Sequence, residues 1–392
     1  MNQLSEIIDR KKVIVCLGSG GVGKTTTSAA IALYAAVKGR RVLCITVDPA
    51  KRLRSALNLK GRCGEIEKVD IGQCAEGEKK PGELYAQLLD TRAELDRIVG
   101  RYVREPQVVE KITGSPFYQQ VAAHLSGSEE YMAMERLHHL VREDNFDLIV
   151  MDTPPSRHAL DFIDAPRRIN DLFSSETFRL FVHASTSTAR LGLNVLKWNR
   201  IVVGGVSRFL GRETFLEILD FMLNFHDMYD GFKERAAQVK EMLKSAETGF
   251  MIVSTPEGLS LNEAKFLYDT LSGEGFRIDC LVINKIFKPD FEPGDFGKLS
   301  LKFKESLRGD GQLRIFSDEL LKRTARDSIS AARNFLDIYE AQKRQVAEFT
   351  GKLRPDLPVC LVPIFESDIH NVEGLKSFYV KMFGGWETSG DI

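Results

Sequence analysis

Eight consecutive residues near the N-terminus, Gly18-Ser19-Gly20-Gly21-Val22-Gly23-Lys24-Thr25, follow the spacing G-x-x-x-x-G-K-[ST], and that spacing binds phosphate. Glycines let the main chain wrap a phosphate with its N–H groups, and a helix that starts there adds the positive end of its dipole. Gly20, Gly21, Val22, Gly23, Lys24, Thr25 and the following Thr26 are the residues expected around a nucleotide's phosphates. Lys24 is expected to bridge the β- and γ-phosphates and act in catalysis, and the Thr25 hydroxyl to ligate Mg2+. With glycine near 7% of residues, this spacing should arise by chance on the order of 0.01 times in such a chain, so a plain glycine turn accounts for it poorly.

Two aspartates follow apolar runs further along. Asp152 comes directly after residues 146–151 and opens Asp152-Thr153-Pro154-Pro155-Ser156-Arg157-His158. A carboxylate at such a strand end fits the partner that stands behind a magnesium ion better than it fits a helix cap. Asp48, followed by Pro49, comes after residues 42–47. It either orients and deprotonates an attacking water or forms an Asp-Pro turn, and the residues alone leave the two readings equal.

These side chains need a frame. Residues 13–17, 42–47, 146–151, 250–254, 280–284 and 358–362 are short, nearly continuous apolar runs, the mark of strands buried on both faces of a parallel sheet. Lys24 to Val37 is rich in Ala and Thr and stops at Gly39, which predicts a helix and a crossover to the next strand. The expectation is an α/β fold, a P-loop NTPase with a mostly parallel sheet flanked by helices, spanning 1–392 as one domain. Two long stretches, about 83–143 and 160–244, break the alternation of strand and helix. Leu84, Leu88, Leu95 and Ile98 recur at helical spacing in the first, so the two are expected to form a helical subdomain built from insertions. A third helical stretch, 316–350, is basic and amphipathic and is expected to pack on the sheet.

Composition narrows the function further. Hydrophobic residues make up 43% of the 392 and charged residues 28%, ordinary values for a globular protein. The net charge of −1 provides no global attraction to nucleic acid or anionic lipid. No secretory signal and no run of about 18 apolar residues is found, so a cytoplasmic location is expected, with at most peripheral membrane contact. Cys16, Cys44, Cys63, Cys74, Cys280 and Cys360 include no C-x-x-C pair, which signals neither a disulfide scaffold nor a zinc clamp.

Taken in order, GSGGVGKTT, VDPA, DTPPSRHAL, STPEGLSLNEA, INK and VPIFESDIHNVEGL resemble the family of the arsenical pump-driving ATPase and the ATPase that targets tail-anchored membrane proteins. The resemblance spans nearly the whole chain, and GSEEYMAMERL looks like a bacterial branch of it. It implies ATP and Mg2+ as cofactors and Asp48 as the water-activating carboxylate. Asp48 and Pro49 then belong to a first switch, and Asp152, Arg157 and His158 to a second. Asn284 would recognise adenine, with Pro363 to Phe365 covering the base. The family works as a dimer or tandem pseudo-dimer, so a single P-loop implies two chains, as a homodimer or a heterodimer with a paralogue.

The chain also departs from the family pattern. Most members carry a lysine at the second loop position that reaches across the dimer, where this chain has Ser19. Lys51, Arg52 and Arg157 are candidates for the missing charge, a paralogue could supply the lysine, and hydrolysis is otherwise expected to be slow. Metalloid cargo needs clustered thiolates, and no cysteine lies between Cys74 and Cys280. The other family cargo is an apolar helix. Residues 189–211 are strongly apolar, and Leu193, Leu196, Trp198, Val202 and Phe209 are candidates to line a client groove, although such faces are more often core. A slow regulatory ATPase is the alternative, and a Par- or Min-type positioning ATPase leaves the long insertions unexplained.

Overall fold

The computed structural model describes residues 3–47, 52–75, 80–102, 106–114, 118–119, 129–154, 234–235, 237–288, 305 and 318–384. All six expected apolar runs are strands: β1 (Val13–Leu17), β2 (Arg41–Thr46), β5 (Leu148–Asp152), β6 (Thr248–Ser254), β7 (Ile278–Ile286) and β8 (Val359–Pro363). Two more, β3 (Ile66–Val69) and β4 (Glu83–Leu88), extend the sheet. The order is β3-β4-β2-β5-β1-β6-β7-β8, parallel throughout except for the antiparallel β3–β4 edge pair.

Residues 83–88 correct the sequence reading, which placed them in a helix. Leu84 and Leu88 are four apart, a spacing that serves both a 3.6-residue and a two-residue period. As a strand, the segment buries Leu84, Ala86 and Leu88 in one core layer and pairs residue for residue with β2 from Arg41↔Glu83 to Thr46↔Leu88. Helix α4 then begins at Thr91 and runs to Tyr102, following α3 (Arg52–Ala56) and preceding α5 (Pro106–Gly114).

Alternation along the strands divides the core into two layers. Ile14, Cys16, Val42, Cys44, Val150 and Val282 face one layer, covered by α1 (Gln3–Arg10), α2 (Lys24–Val37) and α9 (Val372–Gly384). Ala29, Ala32 and Ala36 are fully buried there and let α2 lie close to the sheet, while Tyr34 stacks on Phe383 of α9 at 3.7 Å. Val13, Val15, Leu17, Leu43, Ile45 and Met151 face the other layer. It is covered by α6 (Glu129–Glu143), α7 (Gly258–Gly273) and the end of α8 (Asp318–Thr350), where Val346 and Phe349 are buried. Among the described residues no helix is long and apolar enough to cross a membrane.

At the edge where β1 starts, Lys11 and Asp279 form an ion pair of 3.1 Å with both side chains buried. Lys11 Nζ also donates to the carbonyls of Ala246 and Thr248 at 3.0 and 3.1 Å, so one ammonium joins β1, β6 and β7. A Cβ on Gly249 would lie 3.0 Å from the Asp279 carboxylate, so a larger residue there would crowd the ion pair. Removing one partner strands a buried charge, so Asp279→Ala should lower stability by about 3–5 kcal/mol. Asp279→Leu combined with Lys11→Met should recover most of the loss. Urea denaturation midpoints check both, and nucleotide affinity should be unchanged because the pair lies at the opposite edge from the loop at 18–25.

Candidate functional site

The five residues of β1 are all buried, and the chain leaves them at Gly18. A Cβ there would sit 2.1 Å from the carbonyl oxygen of Val253, which rules out a side chain. The loop closes at Gly23, in the left-handed conformation with φ 97°, where a Cβ would meet Asn284 Nδ2 at 2.2 Å. Helix α2 begins at Lys24 with no side-chain cap. A Ser, Thr or Asp cap is commonly worth about 1 kcal/mol. Without one, the first N–H groups of α2 keep their donor capacity and the positive dipole end for an anion.

Lys24 is buried, and its ammonium donates to the carbonyls of Gly18 and Ser19 at 2.8 and 2.7 Å. These bonds fold the side chain back over the loop, which offsets the cost of its desolvation. Thr26 is half-buried on the first turn, and Thr27 Oγ1 donates to Gly23 O at 3.0 Å.

Asp152 is the last residue of β5, in register with Cys16 on one side and Thr46 on the other. Its side chain is fully buried, and Oδ2 accepts from Thr25 Oγ1 at 2.7 Å and from Thr46 Oγ1 at 2.8 Å. The register thus brings the strand-end carboxylate to the first turn of α2. Thr46 was not singled out from the sequence, though a lone hydroxyl ending an apolar strand beside the Asp48 loop was a usable signal. Thr153 locks the next residue by donating to Cys16 O at 2.8 Å. Burial pushes the Cys16 thiol up to about 12 and raises that of Cys44, with Asp152 adding to both shifts, so these thiols stay neutral.

On the outer side of the loop a cleft of about 530 Å³ opens toward the start of α7, lined by Ser19, Gly20, Gly21, Val22, Ser260 and Lys285 among others. Ser260 Oγ accepts from Thr255 N at 3.1 Å and lies 2.9 Å from Ser254 Oγ and 3.4 Å from Ser19 Oγ. Asn284 is buried in β7, and its Nδ2 donates to Val22 O at 2.8 Å. Pro363 closes β8 opposite Ile286. Phe365 is half-buried and stacks on Phe378 at 5.5 Å. Asp48, Pro49, Lys51, Arg157, His158, Leu193, Leu196, Trp198, Val202 and Phe209 lie outside the described residues, as does the Arg52 side chain.

The profile of the anion-transporting ATPase family matches residues 11–299. The chain is similar to putative arsenical pump-driving ATPase 1 of Aquifex aeolicus, at 24% identity over 95% of this chain and 79% of that protein. It is similar to the ATPase ARSA2 of Chlamydomonas reinhardtii at 28% identity, covering 89% and 97% of the two chains. The ATPase GET3 of Malassezia globosa is 27% identical over 73% of this chain and 76% of its own.

Removing one of the two hydroxyls on Asp152 isolates its contribution. Thr46→Val should weaken nucleotide binding in the presence of magnesium roughly ten- to a hundredfold, the worth of a hydrogen bond to a charged group. Nucleotide binding in EDTA should stay as in the wild type. Calorimetric titration with and without magnesium makes the comparison.

Proposed function

Since the chain belongs to the anion-transporting ATPase family and is an ATPase, we propose that it is a magnesium-dependent dimeric switch. In this reading ATP binding and hydrolysis control its hold on a protein client with an apolar, membrane-destined segment. One observation carries the nucleotide chemistry: the Thr25 and Thr46 hydroxyls converge on the buried Asp152 carboxylate beside an uncapped helix that follows the glycine loop.

The donors at this point are oxygens, a hydroxyl backed by a carboxylate, which suits a hard cation that keeps several of its waters. Thr25 would hold the magnesium and Asp152 would stand behind it; the ion, when bound, neutralises charge on the β- and γ-phosphate oxygens. The N–H groups of the loop and of the first turn of α2 hold the phosphates, and Lys24 exchanges its two carbonyl partners for phosphate oxygens. Asp48, one residue beyond Val47, takes a proton from the attacking water, and Pro49 shapes that first switch. Arg157 and His158 carry the state of the γ-phosphate into a helical subdomain made by residues 91–143 and 160–244. Leu193, Leu196, Trp198, Val202 and Phe209 line its client groove. Asn284 still has one N–H and one lone pair for an adenine edge, with Pro363 to Phe365 over the base. The protein works in the cytoplasm with at most peripheral membrane contact.

Client binding is supported by the resemblance to the ATPases that target tail-anchored proteins, and by the state of the thiols. The name of the Aquifex relative states an arsenical pump for that protein, a role that needs clustered thiolates. Here Cys16, Cys44, Cys74, Cys280 and Cys360 are buried with raised pKa values, which leaves the exposed Cys63. A second reading, a slow regulatory ATPase paired with a paralogue, is favoured by Ser19, whose hydroxyl supplies no cation.

Asp48→Asn should bind ATP as the wild type does and hydrolyse it roughly 100- to 10,000-fold more slowly, the usual worth of a general base. Unchanged turnover in single-turnover assays would remove Asp48 from this role. An apolar helical peptide should be retained by the ATP-bound protein and released after hydrolysis. A peptide that neither binds nor alters turnover would leave the regulatory reading in its place.

A further inference from the structure

Two consecutive residues of β7 reach across to the glycine loop. Asn284 Nδ2 donates to Val22 O at 2.8 Å, and Lys285 Nζ donates to Gly21 O at 2.8 Å. The backbone is shaped for this. The β7–β8 register shifts between Ile283 and Ile286, and Lys285 holds φ at 62°, a conformation that costs a residue with a side chain about 1 kcal/mol or more. Bulges next to active sites re-aim side chains, and here the bulge turns Lys285 toward the loop. The backbone N–H of Lys285 donates to Asn284 Oδ1 at 2.9 Å, which ties the two residues into one unit.

The peptide group is planar and trans, so a carbonyl and the N–H that follows it point in opposite directions. Holding Gly21 O therefore aims the N–H of Val22 away from β7, and holding Val22 O does the same for the N–H of Gly23. Those are successive donors of the loop that cradles phosphate. From this geometry we infer that Asn284 and Lys285 are a positioning pair that presets the loop's amides for the phosphate chain. This deepens the ATPase reading above and rests on it. The pair acts through the loop, and its target is any nucleoside di- or triphosphate irrespective of the base.

Inorganic tripolyphosphate, which has no base, separates this role from recognition of adenine. Calorimetric titrations with ATP, GTP and tripolyphosphate, all with magnesium, are run on the wild type, Asn284→Ala, Lys285→Ala and Lys285→Gly. Each variant should lose roughly tenfold for GTP and for tripolyphosphate, the scale of one hydrogen bond in a preorganised site; the two Lys285 variants lose as much for ATP, and Asn284→Ala loses more for ATP because the adenine contact goes with the side chain. The loss for Lys285→Ala should be equal at low and high salt, because a loop conformation is not screened as a distant charge is. Lys285→Gly relieves the left-handed backbone, so its thermal midpoint should match or exceed that of the wild type while the affinity still falls. Three results would overturn the inference: tripolyphosphate binding to Asn284→Ala at wild-type strength with only the preference for ATP over GTP lost, a Lys285→Ala defect that disappears at high salt, or normal affinity in Lys285→Gly. A wild type that binds neither ATP nor tripolyphosphate would overturn the ATPase reading itself.

Discussion

A carboxylate buried to zero exposure at the end of β5 costs several kcal/mol in lost hydration unless something replaces the water, and here two threonine hydroxyls do so. Thr46 comes from the neighbouring strand and Thr25 from the first turn of the helix that follows the glycine loop. Neither hydroxyl would reach Asp152 if β5 did not lie between β1 and β2 with Asp152 level with Cys16 and Thr46. A shift of one residue in β5 would turn its side chains to the other face, sending Asp152 into the apolar layer lined by Leu17, Ile45 and Met151. The strand order and the apolar alternation are therefore part of the chemistry.

The same constraint explains why the entry into α2 lacks ordinary helix features. A cap would satisfy the first amides, and a residue with a Cβ would relieve the entropy of glycine, yet Gly18 and Gly23 have no space for one. Local stability is given up at this turn and regained in the buried alanine face of α2 and its packing against α9. The ion pair of Lys11 with Asp279 steadies β1 from the far edge, so the strand that launches the loop is held at both ends.

The parts readable from the sequence were those whose signal is local. The glycine spacing, the apolar runs of the six strands, α2 and its stop at Gly39 need no knowledge of distant partners. Strand β4 was misread because a four-residue leucine spacing fits two periods, and only the free edge of β2 decides between them. β3 was missed because it is a short edge strand, IEKV, with one buried residue and no apolar run. Thr46, Ser260 and Lys285 act through contacts to residues 106, 241 and 264 positions away along the chain; the lone hydroxyl at the end of an apolar run hints at Thr46, but spacing along the chain does not reveal the partners of any of the three. Asn284 was singled out for the base, and its contact with Val22 O appears only once β7 is placed beside the loop.

Ser19 is the loop residue whose side chain meets neutral groups outside the loop. Its hydroxyl belongs to a short chain with Ser260 and Ser254, all neutral groups that can exchange donor and acceptor roles at little cost. The positive charges of the loop region lie elsewhere, with Lys24 folded over Gly18 and Ser19 from inside and Lys285 reaching Gly21 from outside. Glu257 and Glu263 line the same outer cleft, so a lysine at position 19 would be drawn toward those carboxylates. A serine avoids that competition and links the loop to the N-terminal turn of α7 through Thr255 and Ser260. Leu259 of α7, 75% exposed, lies at the mouth of the same cleft.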